Sequence, residues 1–196
     1  MKIAIANLKG GVAKTTSAVY LAEVAAAYGP TLLVDCDPQG SALAWSADSV
    51  AGLSAVVVGG ATRTIGRDLD RIAAGYEHVI MDTPPGDGDR AIVRSAISAV
   101  DVVIIPLTPS ALEIARLGPT LDLAAEGGAP AIALLVKCRA TRSLAEAAEG
   151  LRVAQVPTFA AQIKLREEIT GSYGTRPTVF HGYDQVWAEL KGAVGG

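Results

Sequence analysis

Residues 9–16, Lys-Gly-Gly-Val-Ala-Lys-Thr-Thr, lie between a short apolar run and a long alanine-rich stretch. That placement predicts a strand, a glycine-rich turn and a helix in immediate succession. Gly10 and Gly11 can take positive φ, which lets successive backbone N–H groups converge on an anion. A helix starting near Lys14 adds its positive dipole end and its free N–H groups. Lys14 is spaced to reach β- and γ-phosphates, and Thr15 to offer a hydroxyl to Mg²⁺. The strict pattern G-x-x-x-x-G-K-[ST] is not met, because Leu8 stands where its first glycine would fall and Ala13 where its last would. A second lysine, Lys9, opens the loop instead. The Ala13 methyl is expected to be tolerated only at negative φ.

The remaining chain repeats the same alternation. Apolar runs at 2–6, 31–36, 79–81, 102–105 and 131–136 read as strands, with 53–58 and the neighbourhood of Phe159 as shorter candidates. Helical spacing occupies 15–28, 65–74, 89–99, 110–126 and 142–153, with further pieces near 163–170 and 183–193. Gly29-Pro30 stops the first helix, Pro106 closes the strand 102–105, and Gly127-Gly128 ends 110–126. Strand–helix alternation over the whole length predicts an α/β fold, a mostly parallel twisted sheet flanked by helices on both faces. Half of the 196 residues are hydrophobic and 19% are charged, which suits a sheet buried on both sides. With no repeat, linker or low-complexity tract, residues 1–196 read as one domain. The N-terminus enters a strand at once, so no signal peptide is expected.

Right-handed crossovers bring all strand C-termini to one edge, where open α/β sheets bind ligands. Two acidic strand ends arrive there beside the glycine-rich loop. The second strand ends in Asp35-Cys36-Asp37-Pro38-Gln39-Gly40, with Asp35 and Asp37 on one side of an extended chain. Beside a triphosphate, such a pair suits one outer-sphere Mg²⁺ ligand and one residue that orients an attacking water. The run 79–81 leads into Asp82-Thr83-Pro84-Pro85-Gly86, where an aspartate suits water-mediated Mg²⁺ binding. Taken singly, a strand-terminal aspartate is more often a cap or turn residue. The three motifs in this order are far more specific.

These residues resemble the ParA/MinD group of deviant Walker-A P-loop ATPases. Lys9–Thr16 is similar to its signature loop, Asp35-Cys-Asp-Pro-Gln39 to its second acidic motif, and Asp82-Thr-Pro-Pro-Gly86 to its Walker-B region. The Asp-x-Asp-Pro-Gln and Asp-x-Pro-Pro forms point to the small ParA-type partition proteins. The resemblance implies Mg²⁺-dependent ATP hydrolysis, stimulated by a partner, within an ATP-dependent homodimer. It assigns Lys9 to the partner subunit's phosphates, Lys14 to the P-loop lysine and Thr15 to direct Mg²⁺ ligation. Asp37 would position the hydrolytic water, with Asp35 and Asp82 holding Mg²⁺ through water. Lys9, Gly10, Gly11, Val12, Ala13, Lys14, Thr15 and Thr16 would form the nucleotide loop. A ParB-like centromere-binding adaptor and non-specific nucleoid DNA are the implied partners, in the cytoplasm. The basic surface for DNA is assigned to Lys164 and Arg166, with Arg139, Arg142 and Arg176 as neighbours.

Other classes fit less well. At a formal net charge of −3, any nucleic-acid contact must come from a local patch. Cys36 and Cys138 have no metal-ligand spacing and read as small buried hydrophobes, which disfavours an iron–sulfur reductase of the same scaffold. No apolar stretch reaches the roughly 18 residues needed to span a bilayer. A MinD-like membrane helix would need a basic face, and residues 183–193 offer only Lys191 beside Val186, Trp187 and Leu190. A ParA-like ATPase that positions a protein cargo keeps the same motifs, and a ligase on this scaffold would need a substrate pocket. His78 and His181 are isolated, and Trp45 reads as a packing residue.

Overall fold

The computed structural model describes residues 1–194. Residues 195–196, which the single-domain expectation includes, lie outside them. Six strands, β1 (Lys2–Ile5), β2 (Thr31–Asp35), β3 (Val56–Gly59), β4 (His78–Asp82), β5 (Val102–Leu107) and β6 (Ala131–Leu135), form one sheet in the order β3-β2-β4-β1-β5-β6. Every strand pair in it is parallel. The helices are α1 (Lys14–Ala26), α2 (Ser41–Asp48), α3 (Ile65–Ile72), α4 (Gly86–Ile97), α5 (Ala111–Ala115), α6 (Gly118–Gly127), α7 (Arg142–Val153), α8 (Glu167–Thr170) and α9 (Tyr183–Val194).

Period-two alternation divides the strand side chains between two cores. Ile3, Ile5, Leu33, Ile80 and Ile104 pack with α1, α2 and α9. Ala4, Leu32, Val34, Met81 and Ile105 pack with α3, α4, α6 and α7. The small residues of α1 let it lie close on the sheet, and Ala18, Val19, Leu21, Ala22 and Ala25 are fully buried. On its far side α9 inserts Val186, Trp187 and Leu190, all without exposed surface. Trp187 stacks on Tyr28 at 6.2 Å and meets the edge of His78 at 5.0 Å. The apolar face of α9 is thereby used up in the core, as a docking helix requires and a membrane-surface helix would not. Among the described residues no helix is long and apolar enough to cross a membrane.

Three expectations shift. β5 continues through Pro106 to Leu107, because the prolyl nitrogen lies on the side where β1 has already ended. No ladder donor is lost there, and the Pro106 carbonyl instead accepts the Asn7 side-chain amide at 2.9 Å. The single helix expected over 110–126 is two, since Gly118-Pro119 breaks the run and restarts it with proline in the first turn of α6. The strand expected at Phe159 is reduced to one bridge between Ala133 and Thr158. Cys36 and Cys138 are buried free thiols, both with pKa raised by burial.

Truncating Trp187 to Ala should cost about 3–5 kcal/mol, the usual range for a buried aromatic. In a domain of this size that lowers the melting midpoint by about 10 °C. Calorimetric or circular-dichroism melting checks it, and an unchanged midpoint would place α9 outside the core.

Candidate functional site

Strand register sets the site. Ile5, at the end of β1, pairs with Asp82 at the end of β4, and Asp82 pairs in turn with Asp35 at the end of β2. The loop that leaves β1 therefore starts beside both carboxylates. Asn7, itself buried, anchors this loop by donating to the Pro106 carbonyl and accepting the Lys9 N–H at 2.9 Å. The loop after β4 is tied to the same place: Thr83 donates its hydroxyl to the Ile5 carbonyl at 2.9 Å, and Gly86 its N–H to the Leu8 carbonyl at 2.8 Å. A Cβ on Gly86 would collide with the Leu8 side chain, so only glycine permits this approach.

Gly10, Gly11, Ala13, Lys14, Thr15, Thr16 and Asp37 line one cavity of about 520 Å³. Its far wall carries Lys137, Ile163, Lys164, Arg166, Ile169 and Tyr173. The start of α1 points into it with no side-chain cap on its first amides, which leaves those N–H groups for an anion. Lys14 is buried and its ammonium donates to the Lys9 carbonyl at 2.9 Å. Burial pushes its pKa down, while Asp82 and Asp37 pull it up. Val12 is buried and does not face the cavity.

Ala13 corrects the sequence expectation. Its φ of 60° and ψ of 34° are left-handed, the conformation its methyl was expected to exclude. Such a conformation costs an L-residue about 1–2 kcal/mol. From that conformation the Ala13 carbonyl accepts the Ser17 N–H at 2.9 Å and begins α1. The local conformation is the one the usual glycine serves, now held with strain by an alanine.

The carboxylates play distinct parts. Asp35 is buried and spent on backbone amides: one oxygen accepts the Asp37 N–H at 3.1 Å, the other the Ala42 and Leu43 N–H groups, each at 2.9 Å. It caps α2, a helix that the sequence reading did not include, and so fixes the turn bearing Asp37. Asp37 accepts the Gln39 N–H at 2.9 Å and faces the cavity. Asp82 has no exposed surface, and neither of its oxygens has a hydrogen-bond partner. Burial pushes its carboxyl up to about 7, against the opposing influence of the Thr15 hydroxyl and the Lys14 ammonium. A buried, orphaned carboxylate beside a threonine hydroxyl and a phosphate-sized anion site fits a hard divalent cation such as Mg²⁺. Asp35, its oxygens committed to amides, is the less available of the two acidic strand ends.

Lys9 leaves its own cavity. Its ammonium pairs with Glu113 on α5, whose side chain is 4% exposed. Lys164 and Arg166, expected on a DNA surface, are exposed and line the same cavity as the loop 10–16. Two of their proposed neighbours are engaged elsewhere, Arg142 with Glu146 and Arg176 with Glu23. Sequence reasoning missed Asn7, Glu113, Lys137 and Tyr173. Of these, Asn7 and Lys137 carried a usable signal, each standing just past the C-terminal end of an apolar run. Trp45 packs as expected, with its indole N–H on the Thr175 carbonyl at 2.7 Å, and it also borders the cavity.

The comparisons agree with this geometry. The family described as an AAA domain matches residues 1–52. The chain is 38% identical over 167 residues to maintenance of carboxysome distribution protein A of Gloeobacter kilaueensis, covering 83% of this chain and 76% of that one. It is 33% identical over 169 residues to the chromosome partitioning protein ParA of Myxococcus xanthus, covering 64% of this chain and 59% of the relative. In fold it is similar to the crystal structure of the BB_S35 protein of Borrelia burgdorferi bound to AMPPNP, with a TM-score of 0.82 at 17% identity over 98% of both chains. The chain belongs to the ParA-type family of partition ATPases.

Two outcomes follow for the nucleotide-free protein. Replacing Ala13 by Gly should relieve the left-handed strain and stabilise the fold by about 1 kcal/mol, roughly 2–4 °C in melting midpoint. No gain would mean that the strain is absent in solution. Because its folded pKa is raised, Asp82 favours folding below the ordinary carboxylate range and loses that contribution as pH rises through about 7. Asp82→Asn should therefore melt progressively higher than wild type between pH 5 and pH 8, in metal-free buffer. A constant difference across that interval would contradict the burial of an uncompensated charge.

Proposed function

We propose that this chain is an ATP-driven dimerisation switch that grips non-specific DNA in its ATP state and lets go after hydrolysis. The observation that carries this reading is one cavity at the start of α1 that gathers Lys14, Thr15 and Asp37 above the orphaned carboxylate of Asp82. Lys14 exchanges the Lys9 carbonyl for phosphate oxygens when a triphosphate binds. The free amides of the loop and of the first turn of α1 hold the same phosphates. Thr15 would hold Mg²⁺ directly and Asp82 through water, with Asp35 supporting the turn that carries Asp37. Bound there, the metal supplies charge neutralisation on the phosphoryl group being transferred. Asp37 faces the cavity from a turn fixed by Asp35 and orients the attacking water.

Lys9 is placed outside its own cavity, which supports action on the partner subunit's phosphates. A cation delivered in trans makes each site incomplete until two chains meet, and such devices are worth about 10³–10⁵ in rate. Breaking the Lys9–Glu113 pair leaves Glu113 buried without its cation, so the transfer of Lys9 opposes dimer formation until phosphate repays it.

The cargo is a plasmid or chromosome, recruited through a ParB-like centromere-binding adaptor that stimulates hydrolysis, and the protein works in the cytoplasm on the nucleoid. A second reading, a protein assembly as cargo, is favoured by the 38% identity to a carboxysome distribution protein. Affinity capture from the native cell separates the two by the partner recovered.

DNA binding across a salt series with ATP, ADP or no nucleotide tests the switch. ATP-specific binding that weakens steeply with salt is expected. Asp37→Ala should hold ATP and accumulate as dimer by light scattering, Lys14→Ala should bind no DNA, and Lys164→Ala/Arg166→Ala should lose DNA at undiminished ATP affinity. DNA binding indifferent to nucleotide, or a monomeric Asp37→Ala at saturating ATP, would overturn the reading.

A further inference from the structure

The cavity has two walls that lie far apart in sequence, the loop 10–16 and the segment beyond β6. Lys137 crosses between them. Its ammonium donates to the Gly11 carbonyl at 2.9 Å, across a sequence separation of 126 residues. Lys137 itself has a φ of 54°, a left-handed conformation that lysine rarely adopts. Neighbouring hydrogen bonds impose it: the Val136 N–H reaches the Leu107 carbonyl at 3.0 Å, the Cys138 N–H the Ile163 carbonyl at 2.9 Å, and the Leu165 N–H the Cys138 carbonyl at 2.9 Å. Backbone strain that the surroundings over-determine is characteristic of positions where a side chain must be aimed. Here the chain turns sharply after β6, and the lysine ends on the phosphate loop.

Its target is a loop residue with open space around it. Gly11 has a φ of 77°, and nothing lies within 4 Å of where its Cβ would stand, so no packing sets its orientation. A peptide unit is planar and trans, with C=O and N–H directed oppositely. Fixing the Gly11 carbonyl therefore also fixes the direction of the Val12 N–H.

We propose that Lys137 is a positioning residue of the phosphate site: by holding the Gly11 carbonyl from the segment beyond β6 it presets the Gly11–Val12 peptide before a triphosphate arrives. It also brings a third ammonium to a loop that already carries Lys9 and Lys14. This inference rests on the cavity being the nucleotide site. It adds that the loop is not preorganised by its own sequence alone, and that the missing constraint comes from the opposite wall. Charge at position 137 is then part of nucleotide affinity even though Lys137 lies well outside the motif.

Two measurements on the intact chain test it. In nucleotide-free protein, Lys137→Met should speed hydrogen exchange of the amides in residues 10–13 several-fold and leave those of β6 unchanged. With Mg²⁺ present, titration with ATP should show Lys137→Met binding about five- to tenfold more weakly than wild type, the loss of one charged hydrogen bond at a partly solvated site. Lys137→Arg, which keeps a cationic donor, should recover most of that affinity. A merely structural role would lower the melting midpoint of both variants without this recovery. Unchanged exchange at 10–13, wild-type affinity in Lys137→Met, or Lys137→Arg binding as weakly as Lys137→Met would each overturn the proposal. The exchange measurement needs no ligand, so faster exchange in Lys137→Met together with a wild type that takes up no ATP would sink the nucleotide reading while leaving the tether standing.

Discussion

A carboxylate with no partner, buried at the middle of the sheet edge, organises the rest of this molecule. Asp82 is brought there by parallel register, flanked by Ile5 of β1 and Asp35 of β2. Left alone, such a group costs several kcal/mol as an anion, and its pKa rises accordingly. The fold tolerates it because Lys14 and Thr15 are held nearby, and those residues are useful there only because the loop from β1 turns directly into α1. Anchoring by Asn7, Thr83 and Gly86 keeps that loop against the two neighbouring strand ends. Instability at the centre is thus matched by rigidity around it, which is how a site stores affinity for a cation and a polyanion together.

Much of this was legible from residue order. The strand–turn–helix at 2–26 and the acidic ends of the second and fourth strands follow from apolar runs meeting Gly or Asp, and their convergence follows from crossover handedness. What escaped had physical reasons. Ala13 is left-handed where the loop from β1 turns into α1, a path set by contacts distant in sequence that overrides the local preference of alanine. Pro106 stayed within β5 because β1 is shorter than its neighbour, a fact about a strand one hundred residues away. α2 carries only two buried residues, Ala42 and Trp45, so its apolar periodicity is faint, and its start is capped by Asp35 from a preceding strand. The pairing of Lys9 with Glu113 and the reach of Lys137 to Gly11 are tertiary contacts without a local signature.

The lysines around the loop divide the work by where each is held. Lys14 is buried and rests on the Lys9 carbonyl, a bond it can trade for phosphate without moving far. Lys9 is paired with Glu113, away from its own cavity. Lys137 comes from the other wall. The break at Gly118-Pro119 matters here, since it confines Glu113 to a helix of five residues rather than a long rigid rod. That short element packs against α7 through Ile114, while α6 buries Leu123 and Ala124 in the core.

The all-parallel sheet has one more effect. Because β1, β2 and β4 are each followed by a helix that starts at the same edge, the amide dipoles of α1, α2 and α4 all present their positive poles there, each equivalent to about half an elementary charge. A molecule of formal charge −3 is repelled as a whole by nucleic acid. Along the axis of α1 the same molecule offers a cationic face, with Lys14, Lys137, Lys164 and Arg166 around its mouth. Positive potential is therefore concentrated at one edge of the sheet, where four cationic side chains and three helix starts stand beside Asp37, while the formal charge of the whole chain has the opposite sign.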